Sequence, residues 1–99
     1  MRLAIQRDPQ SEKYRFAYAV LLTNSNVPAA AVIRLEESLQ SFPSSSRLWF
    51  ALGFAKFKLG KYDEAEKSLT KSIELDPNFA PAFAYLGLIR ARTGAYGEA

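Results

Sequence analysis

The residue types that carry most enzyme chemistry are thin in this chain. It has no Cys and no His, so it lacks a thiolate nucleophile and the commonest general base and metal ligand. The one string with catalytic spacing is Ser68-Leu69-Thr70-Lys71, the S-x-x-K arrangement of some acyl-transfer enzymes. Its companion motifs are missing from the sequence. The adjacent carboxylates of Glu36 and Glu37 would point about 100° apart on a helix, which does not suit shared acid–base work. No glycine-rich loop follows a strand-like run to cradle phosphate. These observations argue against an enzyme and imply no cofactor or metal. The chemistry that is left is recognition by aromatic and basic side chains, and the elements that would hold those side chains come next.

The chain has 99 residues, 48% hydrophobic, 13% aromatic and 23% charged. That is enough apolar material for one continuous core and an ordinary charge density for a soluble protein. The net charge of +3 is mild, favouring acidic partners a little without implying nucleic acid. No apolar run approaches the roughly 20 residues of a membrane span, and residues 1–9 lack the long uncharged core of a signal peptide. A soluble segment is expected. With no Cys, the redox compartment leaves no mark.

Self-comparison at an offset of 34 residues organises everything else. Pro9, Pro43 and Pro77 fall into register, as do Ala31, Ala65 and Ala99, and Ala19, Gly53 and Gly87. Large apolar residues follow the same spacing: Tyr18, Leu52 and Leu86, then Ile5, Leu39 and Ile73. A fixed period of this size means stacked repeats. Within one period, Ser46 to Leu59 reads as a helix with Trp49, Leu52, Gly53 and Lys56 on one face. Gly60 ends it. A second helix is expected from about Asp63 to Leu75, with Ala65, Leu69, Ser72 and Ile73 inward, stopped by Pro77. Each period is therefore a helical hairpin, and the small residues Gly53 and Ala65 suit its point of closest approach.

The segments Trp49-Phe50-Ala51-Leu52-Gly53 and Gly60-Lys61-Tyr62-Asp63-Glu64-Ala65, with Leu69 and Asp76-Pro77, closely resemble a tetratricopeptide repeat. On that resemblance one repeat occupies 46–79, and the next begins at Ala80, running 80–99 as a truncated copy. A looser copy covers 12–45, with Arg15, Asn26 and Pro28 where an aromatic, a glycine and a tyrosine usually stand. Residues 1–11 resemble the tail of an earlier second helix. The chain thus looks cut from a longer array, and exposed apolar surface is expected around Phe83, Leu86 and Tyr96, with self-association as one consequence. The implied fold is all-α, with helical hairpins stacked as an α-solenoid, a right-handed superhelix.

The resemblance also implies that the first helix of each hairpin lines a concave surface. A second stripe on helix 46–59, formed by Phe50, Phe54 and Phe57, lies about 100° from the first, with Phe16 and Val20, and Ala84 and Leu88, as its counterparts in the flanking repeats. Two readings stay open: an aromatic floor for a peptide groove, or core between neighbouring repeats. The first helices carry Lys13, Arg15, Arg47, Lys56, Lys58, Arg90 and Arg92 against Glu12 alone. The second helices carry most of the acid: Glu36, Glu37, Asp63, Glu64, Glu66 and Glu74, partly offset by Arg34, Lys67 and Lys71. Lys56 and Arg90 are expected to snorkel from half-buried positions. The groove reading takes Lys13, Phe16, Val20, Arg47, Phe50, Phe54, Phe57, Lys58, Ala84, Leu88 and Arg92 as peptide-binding residues, for a partner protein or peptide with apolar anchors and acidic flanks.

The same resemblance narrows the partner. Domains of this family that clamp the acidic C-termini of chaperones need Lys, Asn and Arg at positions held here by Phe16, Val20, Ala51, Pro81 and Tyr85. Asparagine ladders that grip a peptide backbone are also unmatched, with Ala17, Ala51 and Tyr85 in those places. RNA-reading pentatricopeptide arrays share the hairpin but repeat every 35 residues, and Phe16, Phe50 and Ala84 offer no hydrogen bonds to a base. Nonspecific nucleic-acid binding by stacking is a remote alternative. A structural spacer or oligomerisation segment, its groove filled by its own chain or by a second copy, is the nearer one.

Overall fold

A computed structural model of the chain describes residues 9–93. Among them are five helices: α1 (Pro9–Asn24), α2 (Pro28–Ser41), α3 (Ser46–Lys58), α4 (Tyr62–Leu75) and α5 (Ala80–Arg92). There is no strand among the described residues. None of these helices is long and apolar enough to cross a membrane.

Local chemistry explains where the helices begin and end. Ser45 caps α3, its hydroxyl accepting a hydrogen bond from the Leu48 N–H at 3.1 Å, which satisfies one of the unpaired donors of the first turn. Pro28 and Pro81 sit in the first turns of α2 and α5, where a missing N–H costs nothing. Asp63 and Glu64 open α4, while Lys56 and Lys58 close α3 and Arg90 and Arg92 close α5. Both placements complement the helix dipole, at about 0.3–1 kcal/mol each. After Leu75, Asp76 accepts from the Asn78 N–H at 3.1 Å, turning the chain at Pro77.

The two hairpins turn by the same device. Asn26 and Gly60, 34 residues apart, both have left-handed backbone, with φ of 73° and 82°. Glycine takes this conformation freely, and asparagine tolerates it better than other side chains do. The α1–α2 hairpin, the looser match in sequence, therefore closes as the α3–α4 hairpin does. α1 begins at Pro9, so residues 9–11 belong to this first helix and not to the tail of an earlier one. Residues 1–8 lie outside the described residues.

Packing follows the small residues. Gly53 lies so close to α4 that a Cβ there would come within 2.7 Å of Leu69 Cγ and 3.1 Å of the Ala65 carbonyl oxygen. Ala65 and Leu69 are both fully buried. A first core joins Leu35 and Leu39 of α2 to Leu48, Ala51, Leu52 and Ala55 of α3. A second joins Phe50 and Phe54 of α3 to Ala65 and Leu69 of α4 and Ala82, Leu86 and Ile89 of α5. α3 feeds both cores, and six consecutive residues from Phe50 to Ala55 are buried. A helix apolar on every side belongs at the centre of a stack.

Polar tethers set the helices in register. The Ser46 hydroxyl donates to the Ser72 carbonyl at 2.9 Å, and the Ser72 hydroxyl donates to the Ser46 carbonyl at 2.8 Å, joining the start of α3 to the end of α4. Glu12 accepts a hydrogen bond from the Ser45 hydroxyl, so α1 is tied to the cap of α3.

The first helices touch one another in turn, α1 against α3 and α3 against α5, whereas no comparable contact joins α2 to α4. The stack therefore curves toward its first helices. At its two ends apolar side chains stand open: Tyr14 (69% exposed), Tyr18 and Leu21 on α1, and Phe83 (49% exposed) and Leu88 on α5. Of the three residues expected to be exposed around the last helix, Phe83 is, Leu86 is instead buried against α4, and Tyr96 lies outside the described residues.

Candidate functional site

Two of the three rings in the aromatic stripe of α3 are core. Phe50 is 8% exposed and Phe54 6%, so the expectation that they lie open as groove anchors does not hold. The reason is Tyr85 on α5. Its ring stands 5.7 Å from Phe50, 5.1 Å from Phe54 and 5.5 Å from Phe57, tilted or edge-on to each, the geometries aromatic quadrupoles prefer. Phe79 closes on Phe50 at 5.3 Å from the other side, and Phe16 of α1 approaches it at 6.4 Å. Together these rings cement three successive first helices.

Sequence reasoning missed Tyr85. Its counterparts one and two periods earlier are Ala51 and Ala17, and that departure from a small residue was the available signal. A large ring at a position otherwise held by Ala has to lie over the preceding helix, where Phe50 and Phe54 are. Phe57, Phe16 and Val20 are half-buried at the edge of the cluster, and Ala84 and Leu88 are exposed.

Cations roof this cluster. The Arg47 guanidinium stands 5.7 Å from the Phe16 ring centre, Lys58 Nζ 5.8 Å from Phe54, and the Arg92 guanidinium 5.4 Å from Phe57. Each lies within cation–π range. Lys13, Lys58 and Arg92 are exposed and Arg47 is half-exposed. Within the described first helices Glu12 is the one carboxylate, and it is engaged by Ser45.

The other basic residues of the first helices are used differently. Lys56 pairs with Glu64 of α4 at 3.2 Å and Arg90 with Glu66 at 3.6 Å. Both reach toward the second helices and add nothing to the roof. Arg15 lies over Phe42, 5.5 Å from its ring centre, at the equivalent of Trp49. Arg47, Lys58 and Arg92 thus stand over rings of the cluster, and Lys13 lies at the register of Arg47 one repeat earlier, while Phe16, Val20 and Phe57 are half-exposed and Ala84 and Leu88 exposed. Phe50 and Phe54 are withdrawn beneath them. Ser68 and Lys71 lie on α4, on the opposite side.

No curated protein matches the chain. A family model for the tetratricopeptide repeat matches residues 46–79, which is the hairpin of α3 and α4 with its closing turn. Repeats of this family generally mediate protein–protein interaction. Residues 46–79 therefore form a tetratricopeptide repeat, and the all-helical chain with its left-handed turns and stacked hairpins fits a helical-hairpin repeat solenoid.

Proposed function

We propose that the face formed by α1, α3 and α5 holds an acidic segment of a partner protein. Its carboxylates would meet Lys13, Arg47, Lys58 and Arg92, and its apolar side chains would rest on Phe16, Val20, Phe57, Ala84 and Leu88. The observation that carries this reading is the cation roof, with three basic side chains standing over aromatic rings on a face whose one carboxylate among the described first helices is already engaged. Phe50 and Phe54 act from below by holding the roof's spacing. Charges arranged this way favour a complementary partner mainly through encounter rate and register.

The test selects peptides from a displayed library on the wild-type chain and measures each against an Arg47→Glu, Lys58→Glu, Arg92→Glu variant of equal helicity. The expected result is an acidic, apolar consensus that loses at least about tenfold in affinity, roughly 1.4 kcal/mol, in the variant. Selected peptides that bind both proteins alike would refute it.

A second reading is favoured by the apolar side chains at the ends of the stack. Tyr14, Tyr18 and Leu21 occupy the register at which Leu48, Leu52 and Ala55 are buried under α2. An uncovered face of this kind suits stacking against a second copy. Under that reading the chain's mass in light scattering rises with concentration and falls back on Tyr14→Lys, Leu21→Lys substitution.

A further inference from the structure

The curvature that gathers the first helices spreads the second ones. Between α2 and α4 it leaves a groove of about 530 Å³ floored by α3, within the roughly 300–1,000 Å³ of typical ligand clefts. Leu39, Leu52 and the half-buried Trp49 make the floor apolar. The indole is held in place, its Nε1 donating to the Pro43 carbonyl at 2.9 Å, so an incoming side chain meets a preorganised surface. The Lys56–Glu64 ion pair lies at the groove's edge.

Lys67 and Lys71 stand one turn apart along the α4 rim. Both are exposed, and neither forms an ion pair among the described residues. Glu36 faces them from α2. With Lys56 and Glu64 set against each other, the groove offers two ammonium groups against one carboxylate. Lys67 and Lys71 also line a neighbouring depression, which they share with Asp63, Glu66 and Glu74 of α4.

We propose that this groove is a second docking site, on the side opposite the cation roof, for a short extended acidic segment. The segment would lay one large apolar side chain on Trp49 and set two carboxylates on Lys67 and Lys71. The spacing fits: residues four apart on a helix are separated by about 6 Å along its axis. Alternate residues of an extended chain, whose side chains share one side, are about 6.8 Å apart. A Glu-x-Glu run beside a leucine or phenylalanine meets both requirements, whereas a basic segment meets at most the apolar one. This site does not depend on the first-helix reading and would stand without it.

The chain has a single tryptophan, and it lies in this groove, so its emission reports on occupancy there. The experiment titrates the full chain with short acetylated peptides carrying Glu-x-Glu beside Leu or Phe, and with the same peptides carrying Lys for Glu. The acidic peptides should give a saturable change in Trp49 emission. That change should weaken at least about tenfold in Lys67→Glu, Lys71→Glu and in Lys67→Gln, Lys71→Gln variants, and persist in the Arg47→Glu, Lys58→Glu, Arg92→Glu variant. Three results would overturn the proposal: no saturable change, a change that survives both lysine variants, or one abolished only by the first-helix variant. Loss of binding in the first-helix variant alone would instead support the cation roof, so the two sites are tested separately.

Discussion

The α1–α2 and α3–α4 hairpins adopt the same turn and the same stacking with different residues at several of the family's positions. Where α3 has Trp49, Gly53 and Lys56, α1 has Arg15, Ala19 and Leu22, and Asn26 replaces Gly60. The two retain a small residue on each helix at the crossing (Ala19 and Ala31, Gly53 and Ala65), a fully buried leucine (Leu35, Leu69), a left-handed turn residue and a closing proline. That short set carries the hairpin. The positions that vary decide what the outside of the stack presents. Arg15 covers Phe42 with a cation, whereas Trp49 lays an indole along the α2–α4 groove.

The comparison breaks most visibly at α3, which serves both cores. Phe50→Ala should lower stability by about 3–5 kcal/mol, measured by urea denaturation, whereas Phe16→Ala at the same register of α1, half-buried, should lose markedly less. Equal losses would mean that the aromatic cluster does not centre on α3. The crossing points come next. Gly53→Ala drives a methyl against Leu69 Cγ, and overpacking of about 1–3 kcal/mol outweighs the helix propensity gained, about 1 kcal/mol. The net loss should be near 1 kcal/mol. No change in the denaturation midpoint would mean that α4 moves away freely.

The turns should differ from each other in how much they tolerate. Gly60→Ala places an ordinary side chain at a φ of 82° and should cost about 1–2 kcal/mol. Asn26→Gly should change stability by less than about 0.5 kcal/mol, because asparagine already tolerates the left-handed region. If Asn26→Gly were the more disruptive of the two, the turns would not be equivalent.

Much of the fold was legible from spacing, because the determinants of a hairpin are local. The 34-residue register of Pro43 with Pro77 and of Asn26 with Gly60 located turns and stops, and Gly53 with Ala65 located the crossing. The site was less legible. Phe50, Phe54 and Phe57 lie on one stripe of α3, but which of them stays reachable depends on Tyr85, a residue more than 25 positions away on the next first helix. Periodicity within one helix carries no information about what a neighbouring repeat lays across it. The charges divide in the same manner. Lys56 and Lys58 are two residues apart, yet one is joined to Glu64 and the other stands over Phe54, a separation set by helix phase and by the position of α4.

The central claim is that the aromatic cluster holds the repeats together while the cations above it meet the partner. Its most direct test is calorimetric titration of a library-selected acidic peptide into the wild-type chain and into the Arg47→Glu, Lys58→Glu, Arg92→Glu variant, at low and at raised salt. The account predicts wild-type affinity that falls as salt rises, and a variant that stays folded and binds at least about tenfold more weakly. Affinity indifferent to both salt and charge reversal would contradict it.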